Sequence, residues 1–126
     1  MTETEINSWI NLGMDIGAHT TSHVDLTAIS EIEMKKEMID CKKQLENKYN
    51  VEVNDFCYPF GRFNELICLT TKKIGYCSAT TMVRGRANSQ SNIYALPRIP
   101  INHRTLPHLF LAKLLTNYED RRHSEE

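Results

Sequence analysis

The stretch Ile16-Gly17-Ala18-His19-Thr20-Thr21-Ser22-His23 holds the tightest cluster of strong metal ligands in the chain, and its conformation decides how the flanking elements join. On an extended strand, His19 and His23 stand roughly 13 Å apart at ~3.3 Å per residue, too far to share an ion. On a helical turn, positions four apart approach to roughly 5–6 Å at Cβ and project from one side. Two imidazole nitrogens then each reach a zinc ion at ~2.0–2.1 Å. A shared ion therefore requires a strand over 14–18 that ends near His19 and turns at once. Gly17 and Ala18 keep bulk away from that bend. A chain with five histidines also produces such a pair by chance, so the motif draws its weight from what accompanies it.

Upstream, Thr2 or Thr4 caps a short helix through about Asn11, with Ile6, Trp9, Ile10 and Leu12 as its inner side and Gly13 as its stop. Downstream, Asp25 starts a turn into the clearest helix of the sequence. Ser30 and Glu33 form its capping box, Met34, Met38, Cys41, Leu45 and Tyr49 recur at helical spacing, and Asn50 ends the run. The methionine stripe reads as a core face, not a ligand box. Val53 to Phe60 reads as a strand that Pro59-Phe60-Gly61 stops. Asn64 caps a helix over 65–73, with Leu66, Ile67, Leu69 and Ile74 inward and Gly75 at its C-terminal end. Tyr76 to Val83 forms the next strand and 84–92 an exposed loop. Segment 93–101 is an edge or irregular segment, because Pro97 and Pro100 donate nothing to a ladder. Leu106 to Tyr118 is a last helix, followed by a charged, frayed tail over 119–126. Strands alternating with helices predict an α/β layout with a mostly parallel sheet.

The length of 126 residues suits one domain over 1–126 but falls short of the ~250 of a complete (β/α) barrel. Fifteen basic against sixteen acidic residues leave a net charge of -1, with no long-range pull toward nucleic acid or anionic membrane. No run approaches the ~18 apolar residues of a membrane span. Cys41, Cys57, Cys68 and Cys77 show no paired spacing and sit in apolar surroundings, which predicts buried free thiols and a reducing compartment. The acidic start Met1-Thr2-Glu3-Thr4-Glu5 lacks the pattern of an export leader. Localisation stays open on these signals, with the cytoplasm favoured.

Taken in order, residues 13–27, Phe56-Cys57-Tyr58-Pro59-Phe60-Gly61, Gly75-Tyr76 and Leu96-Pro97-Arg98-Ile99 resemble the NodB-type polysaccharide deacetylases, carbohydrate esterase family four, over roughly residues 5 to 115. The resemblance implies an irregular (β/α) barrel that removes acetyl groups from N-acetylated sugars in a polysaccharide or peptidoglycan. It also implies zinc or another divalent metal, held by one aspartate and the two histidines of an H-[ST]-x-x-H motif, here His19 and His23 with Thr20 as the hydroxyl residue. The proline-aromatic-glycine corner implies a substrate groove along Tyr58, Pro59 and Phe60, with the Phe60 N–H at the oxyanion. Metal and N–H together would stabilise the charge that develops on the acetyl oxygen. Ile101-Asn102-His103 is the nearest match to the family's closing motif, which would make His103 the general acid.

Two departures accompany the match. The family's first strand carries adjacent aspartates, general base and third metal ligand, and no Asp-Asp pair occurs here. Asp15 would lie ~13 Å from His19 along a strand, Asp25 starts a turn, and Asp55 faces solvent. Cys57 stands where many relatives have an arginine. The expectation is a partial barrel whose N-terminal strands are missing. Its ion is weakly held, because catalytic zinc usually has three protein ligands, and its activity alone is slight. The alternative is a non-catalytic remnant that binds glycans, or a homo-oligomer formed through open sheet edges.

Overall fold

The computed structural model describes residues 1–122, and its sheet is small, parallel and covered by helices on one face. The first helix, α1 (Glu3–Asn11), starts at a Thr2 capping box. Helix α2 (Glu31–Tyr49) starts at the Ser30–Glu33 capping box and stops where Asn50 turns left-handed at φ 52°. Strand β1 (Asp55–Cys57) runs into a short 3-10 turn over Pro59–Gly61. Helix α3 (Glu65–Ile74), capped by the Asn64 side chain, ends at left-handed Gly75. Strands β2 (Ser78–Arg84) and β3 (Leu96–Arg98) complete the sheet, followed by α4 (Pro107–Leu115) and α5 (Tyr118–Arg122).

The strand order is β1-β2-β3, all parallel, with Cys57 opposite Thr80, Thr80 opposite Leu96, and Arg84 opposite Arg98. The strand expected over 14–18 shrinks to one bridge. Ala18 donates to the Asp55 carbonyl at 2.8 Å and accepts from Cys57 at 2.9 Å, while Met14 is half exposed. Gly17 permits that approach, since a Cβ there would lie 3.2 Å from the Asp55 carbonyl oxygen.

The methionine stripe is the core face the spacing predicts. Met34, Met38 and Cys41 of α2 pack with Phe56, Tyr58, Ile67, Tyr76 and Ala79, and burial pushes the Cys41 thiol pKa up. The rings of Phe56 and Tyr58 meet edge-on at 5.4 Å, and Tyr76 tilts against Phe56 at 5.1 Å. Each buried phenol finds an acceptor: Tyr76 donates to the Met38 carbonyl at 2.9 Å, Tyr58 to the Tyr94 carbonyl at 2.8 Å. Burial raises both phenol pKa values, so both stay neutral donors.

Several local expectations shift. The inner stripe of α3 is Ile67, Thr70 and Thr71, leaving Leu66 and Leu69 half exposed. No residue of α1 is buried, and Trp9 and Leu12 lie open. The last helix breaks where Thr116 goes extended, and its hydroxyl accepts the Tyr118 N–H that starts α5. Glu119, expected in a frayed tail, is fully buried and paired with Lys113, which also donates to the Pro100 carbonyl at 2.8 Å. Residues 123–126 of that tail lie outside the described residues. Cys77 is exposed and Cys57 and Cys68 half-buried, so only Cys41 is the buried free thiol expected. Self-association through sheet edges finds no support: Ala18 bridges onto β1, and β3 carries Pro97, which blunts that edge. No helix among the described residues is long and apolar enough to cross a membrane.

Candidate active site

The chain brings His19 and His23 together, but by a bend and not the expected helical turn. Thr20 and His23 both adopt left-handed backbone, at φ 63° and 56°. That conformation is unfavourable for residues with a Cβ, and the surroundings hold it in place. The holding group is Glu37 of α2. Its carboxylate accepts from the backbone N–H of Thr21 and of Ser22, each at 2.9 Å, and from the Ser22 hydroxyl at 2.7 Å. The Ser22 hydroxyl first, then the two backbone donors, keep the Glu37 carboxyl below its ordinary pKa against the burial that raises it.

The two imidazole rings stand edge to face, 4.8 Å between centroids at 67°. Nδ1 of His19 lies 2.6 Å from the Cys57 carbonyl oxygen. A carbonyl only accepts, so Nδ1 carries a proton, and in the neutral imidazole that leaves the lone pair for a ligand on Nε2. This is the outer support that a metal-binding histidine usually has. The Thr20 hydroxyl beside it is buried without a partner among the described residues, a second local cost of roughly 1–3 kcal/mol.

The other wall is the Pro59-Phe60-Gly61 corner. The Phe60 ring meets His23 edge-on at 4.8 Å and is about half exposed. Phe60 is the third non-glycine residue here with left-handed backbone, at φ 58°. Gly61 follows at φ 67°, where a Cβ would sit 2.6 Å from the Cβ of Met82 and 2.7 Å from its nitrogen. The Phe60 N–H has no acceptor among the described residues. An ion pair of Arg62 with Asp25 at 2.6 Å ties this corner to the loop after His23. The Thr27 hydroxyl first, then Arg62, lower the Asp25 pKa to about 2.

The other expected site residues lie apart. Tyr58 and Pro59 are buried, and the Tyr58 hydroxyl is spent on Tyr94 and Thr71 inside the core, so Phe60 alone of the three offers its side chain to a groove. His103 sits in an exposed turn organised by Asn102 and makes no hydrogen bond or ring contact with His19 or His23. Among the described residues, no third histidine, cysteine, aspartate or glutamate joins the pair. The imidazoles thus suit two positions around a divalent ion, and the donor set stops there. Sequence reasoning missed Glu37, which periodicity places on the wet side of α2, and the Cys57 carbonyl, which no side-chain motif can encode.

A parallel sheet with paired histidines just after the Ala18 bridge and a strained Pro-Phe-Gly corner just after β1 defines the class. The chain belongs to the polysaccharide deacetylase family, whose model matches residues 1–79. It is 29% identical over 102 residues to YxkH of Bacillus subtilis (strain 168), a match spanning 81% of this chain and 37% of that one. Its fold is similar to the Streptococcus pyogenes deacetylase PplD in complex with acetate, with TM-score 0.84 and 26% identity over 90% of this chain and 50% of PplD. It is similar also to BC0361, a polysaccharide deacetylase from Bacillus cereus, with TM-score 0.80 and 26% identity over 90% of this chain and 36% of that one. The fold is accordingly a partial (β/α) barrel of the NodB type, and the chain spans about a third to a half of the length of these relatives.

Proposed function

We propose that this chain contributes to the active site of a metal-dependent hydrolase that removes acetyl groups from N-acetylated sugars in a polysaccharide or peptidoglycan. The observation that carries the reading is His19: its Nδ1 is tied to a main-chain carbonyl at 2.6 Å and its ring stands 4.8 Å from that of His23. His19 and His23 would hold zinc or another divalent ion, which when bound polarises an acyl oxygen and acidifies a water. The chain's own part is positional. The Cys57 carbonyl fixes the tautomer of His19, Glu37 holds the loop, and the unpaired Phe60 N–H donates to the acetyl oxygen as negative charge grows there. The exposed Phe60 ring offers an apolar platform to the sugar. The third ligand and the base are carboxylates from outside the described residues. His103, in the exposed turn that Asn102 organises, would protonate the departing amine.

Zinc titration by calorimetry tests the metal site: weak binding, lost in His23→Ala and His19→Ala, is the expected result, and no binding to the native chain sinks it. Acetate release from N-acetylglucosamine oligomers is expected to be slight for this chain alone. The second reading, a non-catalytic glycan-binding domain, is favoured by the donor set stopping at two. Oligomer binding that is indifferent to zinc and to His19→Ala would select it.

A further inference from the structure

Two arginines that the site above does not use stand side by side on the sheet. Arg84 and Arg98 are opposite one another across β2 and β3, so their side chains leave the same face. Like charges placed so repel. Elsewhere the chain matches such arginines with aspartates: Arg62 lies 2.6 Å from Asp25, and Arg86 grips Asp120 at 3.1 Å through both Nε and Nη2. Among the described residues, neither Arg84 nor Arg98 has a carboxylate within 4.0 Å. Both instead line one cavity of about 460 Å³, whose other walls are Met82, Ile99, Pro100 and Ile101. A concave apolar pocket with a few convergent polar groups is the usual form of a small-ligand site.

The cavity adjoins the histidine pair. Nη1 of Arg98 lies 3.5 Å from the Cys57 sulfur, and the carbonyl of that same residue holds His19. Met82, on the cavity wall, is the residue packed against Gly61 of the Phe60 corner. A sugar held at His19 and Phe60 would thus have beside it, past Cys57 and Met82, the cavity that both arginines line. Planar forks of N–H donors recognise oxyanions, often with two parallel hydrogen bonds.

We propose that Arg84 and Arg98 bind an oxyanion, a carboxylate or a phosphate, carried by the glycan next to the sugar at the histidine pair. The substrate class is thus an acidic glycan, an inference that rests on the deacetylase reading and narrows it. The apolar wall takes the carbon skeleton that carries the anion.

Calorimetry on the 126-residue chain, with three oligomers of equal length, tests this. One is neutral N-acetylglucosamine, one carries a lactyl carboxylate on alternate sugars, and one carries a phosphate monoester. At least one anionic oligomer is expected to bind about tenfold tighter than the neutral one, the scale of one charge-assisted hydrogen bond. Whichever does so identifies the source of the oxyanion. Arg84→Gln with Arg98→Gln should bring its affinity down to the neutral level and leave neutral binding unchanged, while Arg104→Gln, one charge removed from an exposed turn, keeps the preference. Arg98→Lys, which keeps charge but loses the fork, should retain only part of the preference. Equal binding of all three oligomers by the native chain overturns the proposal and leaves the deacetylase reading standing. So does an anionic preference that survives in the double variant. Failure of every oligomer to bind removes both.

Discussion

Along β2 the side chains alternate between two settings. Ala79 and Thr81 are wholly buried, Ala79 in the core with residues of α2 and α3, whereas Met82 is two-thirds exposed and Thr80 and Arg84 only partly covered. β1 repeats the contrast, with Phe56 on the packed side and Cys57 on the open one. The packed face is apolar, and what it needs is volume. The open face leads into the histidine loop and the Phe60 corner, where hydrogen bonds and left-handed backbone replace apolar filling. Stability and chemistry are thus sorted onto opposite sides of a single sheet, and substitutions can separate them.

The largest expected effect falls on the packed face. Met38→Ala empties a fully buried position and should cost about 2–5 kcal/mol in urea unfolding. The zinc affinity of the remaining folded fraction should not change, and a parallel loss of zinc binding would show that the two sides are not separable. Next comes Gly61→Ala at the corner. The new Cβ meets the Cβ and the backbone nitrogen of Met82, so the strain should reach about 1–3 kcal/mol. Met82→Ala should not rescue it, because both clashing atoms remain.

A smaller effect is expected at Glu37. Glu37→Gln keeps the shape but weakens three hydrogen bonds, at about 1 kcal/mol after allowance for its partial exposure, and zinc affinity should fall with it. The acid limb follows from the same groups. Glu37 and Asp25 have folded pKa values below their ordinary 4.5 and 3.8. Their contribution is therefore complete above those values and is lost as pH falls through the folded pKa, for Asp25 at about 2. Unfolding monitored from pH 5 to 2 should lose stability over that window, and Asp25→Asn should flatten the lower part. The smallest effect is at Asn50, the fourth left-handed non-glycine residue, which lies at a helix end away from the site. Asn50→Gly should stabilise by a few tenths of a kcal/mol with no change in zinc binding.

What was legible in the sequence was what is local. The Ser30–Glu33 cap, the methionine stripe and the Asn50 stop are written within a few residues of where they act, and α2 follows them to the residue. The inner stripe of α3 departs from the hydropathy pattern because Thr70 and Thr71 take inner positions. Thr71 can do so because its hydroxyl bonds the Ile67 carbonyl at 2.8 Å and meets the Tyr58 phenol at 3.2 Å, contacts that no hydropathy scale registers. The candidate site divides the same way. The spacing of His19 and His23 announced a pair, but the bend that joins them depends on Glu37, 14 residues beyond His23 in the sequence, and the tautomer of His19 on a carbonyl 38 residues away. The family resemblance implies a groove along Tyr58, yet strand alternation turns its side chain inward.

The contact between His19 and residue 57 is made by main chain, which every amino acid possesses. Replacing Cys57 by serine or alanine, or attaching a reporter to its sulfur, would leave the imidazole's anchor in place. Position 57 therefore offers a vantage point directly beside the paired rings, from which occupancy by an ion can be watched without unseating them.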